Sequence, residues 1–169
     1  GGYLQRGQGY SYLPAPGKIE FAELIRPEHA RKAIWSLTQK HDYVLVDLKN
    51  EIDEITLTTW ETSNQIWLLV HPELGQMLAL RKILDLMDKL KYSDKVKIVV
   101  NGVGRPGTPP IDEIKALVKK PFLTIPHAPD DAVLTSNQGT LFVKERPDGE
   151  LATAIGNLGR AIRGEEEVH

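Results

Sequence analysis

Tyr43-Val44-Leu45-Val46-Asp47 is the stretch of this sequence best suited to chemistry: four apolar residues, two of them β-branched, run straight into one carboxylate. An apolar run of that length fits a strand buried on both faces of a parallel sheet. An acid at the carboxyl end of such a strand stands where open α/β sheets bind ligands. In many nucleotide-hydrolysing proteins that acid holds Mg²⁺, directly or through water. Asp47 serves equally well to open a loop or cap the next helix, and the strand and acid alone leave both readings open.

Other groups carry weaker signals. Gly102-Val103-Gly104-Arg105-Pro106-Gly107 matches G-x-G-x-x-G after a strand, the pattern that lets pyrophosphate approach a helix N-terminus. Pro106, Pro109 and Pro110 crowd that loop, and the next strand ends in Thr124-Ile125-Pro126 with no acid for a ribose, so a mobile loop is the better reading. The five histidines, His29, His41, His71, His127 and His169, share no metal-ligand spacing. No serine lies in a G-x-S-x-G context, which argues against a hydrolase elbow. Asp53 and Glu54 read as the acidic first turn of a helix at least as well as an acid/base pair. Trp35 and Trp60 are expected to pack between helices and sheet, and Trp67 to lie in the core.

The chain that must position these groups has 169 residues, enough for one domain with a real core, and a net charge of −2. That balance argues against general nucleic-acid binding. The lack of cysteine excludes disulfides and thiol catalysis and is compatible with a reducing compartment. No apolar run is long enough to span a bilayer. The start, Gly1-Gly2-Tyr3-Leu4-Gln5-Arg6, has no apolar signal-peptide core and no initiator Met, and reads as a cut end.

Along the chain, the periodicity predicts a flexible lead over 1–9, a short strand near 10–13, a helical turn within 19–25 and a helix over 28–40. The strand 43–47 follows, then a helix over 53–62, a strand at 65–70 and a long helix over 74–91. Next come a strand at 96–100, a helix near 111–118 and a strand at 121–125. A helix or turn is expected over 129–137, a short apolar run at 141–143 and a last helix over 150–163. Repeated alternation of strand and helix predicts an α/β fold of three layers, a mostly parallel sheet with helices on both faces. Residues 10–163 are expected to form one domain and 164–169 an acidic tail.

Several of these segments, in this order, resemble the later part of a MinD/ParA-type P-loop ATPase. They are Leu13-Pro14-Ala15-Pro16, Pro27-Glu28-His29 and Asp42-Tyr43-Val44-Leu45-Val46-Asp47-Leu48, then Pro72-Glu73-Leu74, Val99-Val100-Asn101 and Ile125-Pro126. The branch they resemble is the CpaE/TadZ group of pilus-assembly proteins, over roughly residues 10–163. The resemblance implies a P-loop NTPase-like fold, incomplete at its N-terminus. It implies that Asp47 is the acidic switch residue near Mg²⁺ and the attacking water, and the catalytic position. It also implies that Asn101 reads adenine, with Pro126 and His127 flanking the base. ATP and Mg²⁺ are the cofactors it implies for the intact family protein.

The sequence departs from the family in two places. No G-K-[ST] occurs in the chain, so the N–H cradle and Lys that hold the phosphates are missing from it. Lys49 and Asn50 stand where the family has a Pro and often a Gly nearby. The chain alone is therefore expected to bind Mg-ATP weakly or not at all and not to hydrolyse it. Two functions follow: part of an ATPase that positions pilus or secretion machinery, or a non-catalytic interaction module that keeps the fold. Expected partners are a second copy or a protein of that machinery, without sequence-specific nucleic acid and without membrane insertion. The expected place is the cytoplasm, with recruitment to the inner face of the membrane or the cell pole. The last helix is expected to pack on the sheet rather than bind lipid, because Glu165, Glu166 and Glu167 follow its Arg160 and Arg163. In the family the P-loop strand lies between the strands matching 43–47 and 65–70. Without it, those two strands are expected to pair directly or to accept another segment, since unpaired interior backbone groups are costly.

Overall fold

The computed structural model describes residues 4–7, 9–14, 24–130, 133 and 140–165. They belong to two units, Gly1–Ser63 and Asn64–His169. The first opens with an antiparallel pair, β1 (Gln5–Arg6) and β2 (Ser11–Tyr12), in which Tyr12 Oη donates to Gln5 Oε1. Helix α1 (Pro27–Thr38) starts with Pro27 at its first position, where a missing N–H costs nothing. Ala30, Ala33, Ile34 and Leu37 form its half-buried stripe. Trp35 is 67% exposed and packs in no core, contrary to expectation. One position along a helix is about 100° of rotation, which carries Trp35 off the stripe that Ile34 occupies.

Helix α2 (Glu54–Thr62) is capped by Asp53, whose carboxylate accepts the Thr56 N–H at 2.8 Å. Its buried side is threonine-rich, with Thr56, Thr58 and Thr59 beside Trp60. Two of those hydroxyls are paired inside the unit: Thr56 donates to the Glu51 carbonyl and Thr59 to the Ile55 carbonyl, both at 2.8 Å. An ion pair of 2.7 Å joins Arg31 on α1 to Glu61 on α2, but both side chains are about half exposed, so it contributes little.

Residues 43–47 form no strand, and this overturns the reading of that stretch as the organising strand. Tyr43, Leu45 and Val46 are 57%, 77% and 42% exposed. An apolar run becomes a strand only when a neighbour takes its backbone hydrogen bonds, and no such neighbour exists for it among the described residues.

In the second unit the periodicity holds almost to the residue. The elements are β3 (Ile66–Val70), α3 (Leu74–Lys89), a 3₁₀ turn (Ser93–Lys95), β4 (Val96–Val103) and α4 (Ile111–Val118), then β5 (Leu123–Pro126), α5 (Phe142–Glu145) and α6 (Glu150–Ile162). The strands form a three-stranded sheet in the order β3-β4-β5, and both pairings are parallel.

Side-chain parity decides which layer each strand residue joins. Ile98 and Val100 of β4 pack with Met77 and Leu80 of α3 and Ile114 and Val118 of α4, and Phe122 closes against them. Val99 points the other way, to Ile125 of β5 and Leu151 of α6, joined by Trp67 and Phe142. Helices thus cover both faces of a parallel sheet, and Ile98, Val99 and Val100 are essentially inaccessible. Each such side chain contributes roughly 1.5–3 kcal/mol by burial. Helix α6 lies over β5 with Leu151, Ile155 and Leu158 inward. No helix among the described residues is long and apolar enough to cross a membrane. The expected helix or turn at 129–137 lies largely outside the described residues, as do 1–3, most of 19–25 and the acids after Glu165.

Candidate functional site

Because β3, β4 and β5 run parallel, their carboxyl ends meet on one edge of the second unit. Open α/β sheets bind ligands at such an edge. Strand β3 ends there at His71-Pro72, β4 at Asn101-Gly102-Val103, and β5 at Pro126-His127.

Asn101 is drawn into this edge by an irregular register. It pairs with Ile125, and Val103 already pairs with Pro126, so Gly102 is the extra residue of a bulge. Gly102 adopts φ +84, a left-handed conformation that glycine takes without penalty. A side chain there would meet His71 Nδ1 only at 3.5 Å, so backbone conformation, not space, demands glycine. The Asn101 carbonyl accepts a hydrogen bond from His71 Nδ1 at 3.0 Å, which ties the ends of β3 and β4. On the other side, the His127 N–H donates to the Val103 carbonyl at 2.9 Å, which ties β4 to β5. Asn101 and Pro126 are half-buried and His127 is exposed.

The loop after β4 makes two polar contacts. Arg105 Nη1 reaches Glu73 Oε1 at 3.2 Å, and Thr108 Oγ1 donates to the Arg105 carbonyl at 2.6 Å. Gly104 and Gly107 have φ of +86 and +84, so the glycines of the G-x-G-x-x-G match serve turns. Pro110 stands at the N-cap of α4 and offers no side-chain hydrogen bond to that helix start.

The edge therefore brings together Asn101, Pro126 and His127. Asp47 belongs to the first unit, where it is exposed at the end of the unpaired segment 43–47. Among the described residues no group of three or more His, Asp or Glu side chains is placed to hold a metal ion. Nor does the chain contain a G-K-[ST] cradle for phosphates. Asn101, at the end of β4, carries an amide donor and acceptor, and Pro126 ends the adjacent strand β5. The sequence reading gave His71 no role beyond its lack of a metal-ligand spacing, and used Glu73 only within the Pro72-Glu73-Leu74 resemblance. A polar pair directly after a buried strand was the available signal for their role in fixing the edge.

No family model matches the chain. In sequence it is 23% identical over 159 residues to the septum site-determining protein MinD of Bacillus subtilis, an overlap of 91% of this chain and 59% of that protein. In structure it is similar to a ParA-family ATPase from Chlorobium tepidum TLS, with a TM-score of 0.81, 22% identity and coverage of 91% of this chain and 64% of that one. It is also similar to MinD from Pyrococcus horikoshii OT3 complexed with Mg-ADP, with a TM-score of 0.79, 19% identity and coverage of 95% and 67%. The fold is thus the parallel-sheet α/β fold of the MinD and ParA P-loop ATPases, with helices packed around the sheet. The chain spans about three fifths of the length of the curated relative it matches.

Proposed function

We propose that this chain is the base-recognising part of a MinD/ParA-type ATP-binding protein. In this reading Asn101 reads the adenine edge through its side-chain amide, and Pro126 and His127 flank the ring. Asp47 keeps the acidic position of the metal and water site, but the chain carries no phosphate cradle and does not hydrolyse ATP alone. The pilus or secretion role of the CpaE/TadZ branch, a second copy or a component of that machinery as partner, and cytoplasmic action at the membrane face or pole belong to the same proposal. Its support is the placement of Asn101 and Pro126-His127 on adjacent parallel strands, together with the likeness in fold and sequence.

The test is calorimetric titration with Mg-ATP and with adenosine, paired with phosphate release. The expected result is weak adenosine binding that is lost in Asn101→Ala, no gain in affinity from the phosphates, and no turnover. Micromolar Mg-ATP binding that depends on Asp47, or measurable phosphate release, would overturn it. A second reading is a non-catalytic interaction module that keeps this fold, and a G-K-[ST] loop upstream of Gly1 would count against it. It predicts that adenosine fails to bind at all.

A further inference from the structure

The outer edge of β5 lies between two clefts of opposite charge. On the α4 side is a cleft of about 630 Å³, with Val103, Ile111 and Phe122 as its apolar floor and Lys115, Lys119 and Lys120 on its rim. On the α6 side is a cleft of about 330 Å³, with Asp148 and Glu150 on its rim. Thr124 borders both. Lys115 has Asp112 at 3.9 Å, whereas Lys119, Lys120, Asp148 and Glu150 have no ion-pair partner among the described residues. Lys119 also holds a left-handed φ of +54, an unfavourable conformation for a residue with a side chain.

Among the described residues, no partner takes the outward backbone groups of the edge between the clefts. The His127 N–H bonds to Val103 on β4. With the period of two along a strand, Ile125 and Leu123 also turn their backbone groups to β4, and Thr124 turns its N–H and C=O outward. Among the described residues β5 has no strand on that side, and Thr124 is exposed. Pro126 has no N–H to offer there, so the exposed donor of this short edge is that of Thr124.

A strand added to this edge would point successive side chains alternately to the α4 and α6 faces. We propose that the outer edge of β5 docks an extended peptide segment whose successive residues alternate in charge, acidic toward Lys119 and Lys120, basic toward Asp148 and Glu150. Main-chain bonds to Thr124 supply the attachment, and the two charged rims select the sequence. The alternation distinguishes this partner from a uniformly acidic one, which the α6 rim would repel. It also goes beyond the nucleotide reading, because it uses none of Asp47, Asn101, Pro126 or His127 as a recognition group.

The experiment is fluorescence anisotropy of the full chain with end-blocked octapeptides. One peptide alternates glutamate and lysine, one has the same composition in two blocks, and one is the alternating peptide N-methylated at every second residue. The alternating peptide is expected to bind at least tenfold tighter than the block isomer, and N-methylation on the edge-facing side is expected to abolish binding. Lys119→Glu with Lys120→Glu should weaken the alternating peptide at least tenfold. Thr124→Pro should do the same by removing the outward donor, with circular dichroism unchanged, since an edge position tolerates proline. Equal binding of the two isomers, or no effect of N-methylation, overturns the proposal without reliance on any variant's folding. So does self-association in sedimentation that the alternating peptide fails to displace.

Discussion

The carbonyl of Asn101 and Nδ1 of His71 lie 3.0 Å apart, across a sequence separation that hides their relationship. A carbonyl only accepts, so the contact is a hydrogen bond when Nδ1 carries the proton, which leaves Nε2 as the acceptor of a neutral ring. His71 is itself steered from its backbone, whose N–H donates to Gln76 Oε1 at 2.9 Å. His71→Ala should therefore loosen the bulge at Gly102 and cost about 1 kcal/mol, the usual net worth of one hydrogen bond. Urea denaturation measures it. A variant as stable as the parent would show that the bulge holds itself.

Asp53 should titrate far below an ordinary carboxylate. The Thr56 N–H, followed by the Lys49 ammonium at 3.0 Å, holds its pKa down to about 2. A depressed folded pKa gives stability that is fully present above the unfolded value near 4 and is lost as pH falls through about 2. The carboxylate resonance of Asp53 is expected to shift with a midpoint near the lower value. Asp53→Ala should cost about 1 kcal/mol at neutral pH through the lost helix cap, and Asp53→Asn less. A midpoint near 4 would mean that the cap is not formed in solution.

Helix α3 offers an internal control for burial. Leu80 is 1% exposed and Leu78, on the same helix, is 51% exposed. Leu80→Ala should cost about 2–5 kcal/mol, because it opens a cavity beside Ile98 and Val100. Leu78→Ala should stay within about 0.5 kcal/mol. Equal shifts in the urea midpoint would mean that α3 does not pack as described.

Two glycines should respond in opposite directions. Gly75, in the first turn of α3, has nothing within 4 Å of an added Cβ and no positive φ. Gly75→Ala should stabilise by about 0.5 kcal/mol by restricting the unfolded chain. Gly102→Ala must force an alanine into φ +84 and should destabilise by about 1 kcal/mol or more. Thermal midpoints of both variants against the parent decide it, and a stabilised Gly102→Ala would show that the bulge relaxes.

The second unit was legible in the sequence because its signals are local. Ile98 to Val100 is apolar on both faces, and α3 repeats Leu80, Leu84 and Met87 at helical spacing. The same logic failed at Tyr43–Asp47, where an equally good apolar run has, among the described residues, no neighbour to make it a strand. It failed again at Trp35, where residue type suggested burial and phase decided otherwise. At the candidate site, Asn101, Pro126 and His127 were named through a family resemblance. What fixes them is the bulge, the His71 contact and the Arg105–Glu73 pair, which join residues far apart in the chain and leave no mark on local pattern.

The sheet order β3-β4-β5 follows the order of the chain. Each new strand therefore docks on the one made just before it, through a crossover that folds as a local helix. Such nearest-neighbour assembly keeps each closed loop shorter than a crossover between distant strands would, although parallel pairing remains slower than a hairpin. On the ribosome, the β3–β4 pair can close with α3 before β5 has emerged. Strand β5 would then add to the free edge of β4, and a ribosome pause within Ile111–Val118 would leave that edge exposed.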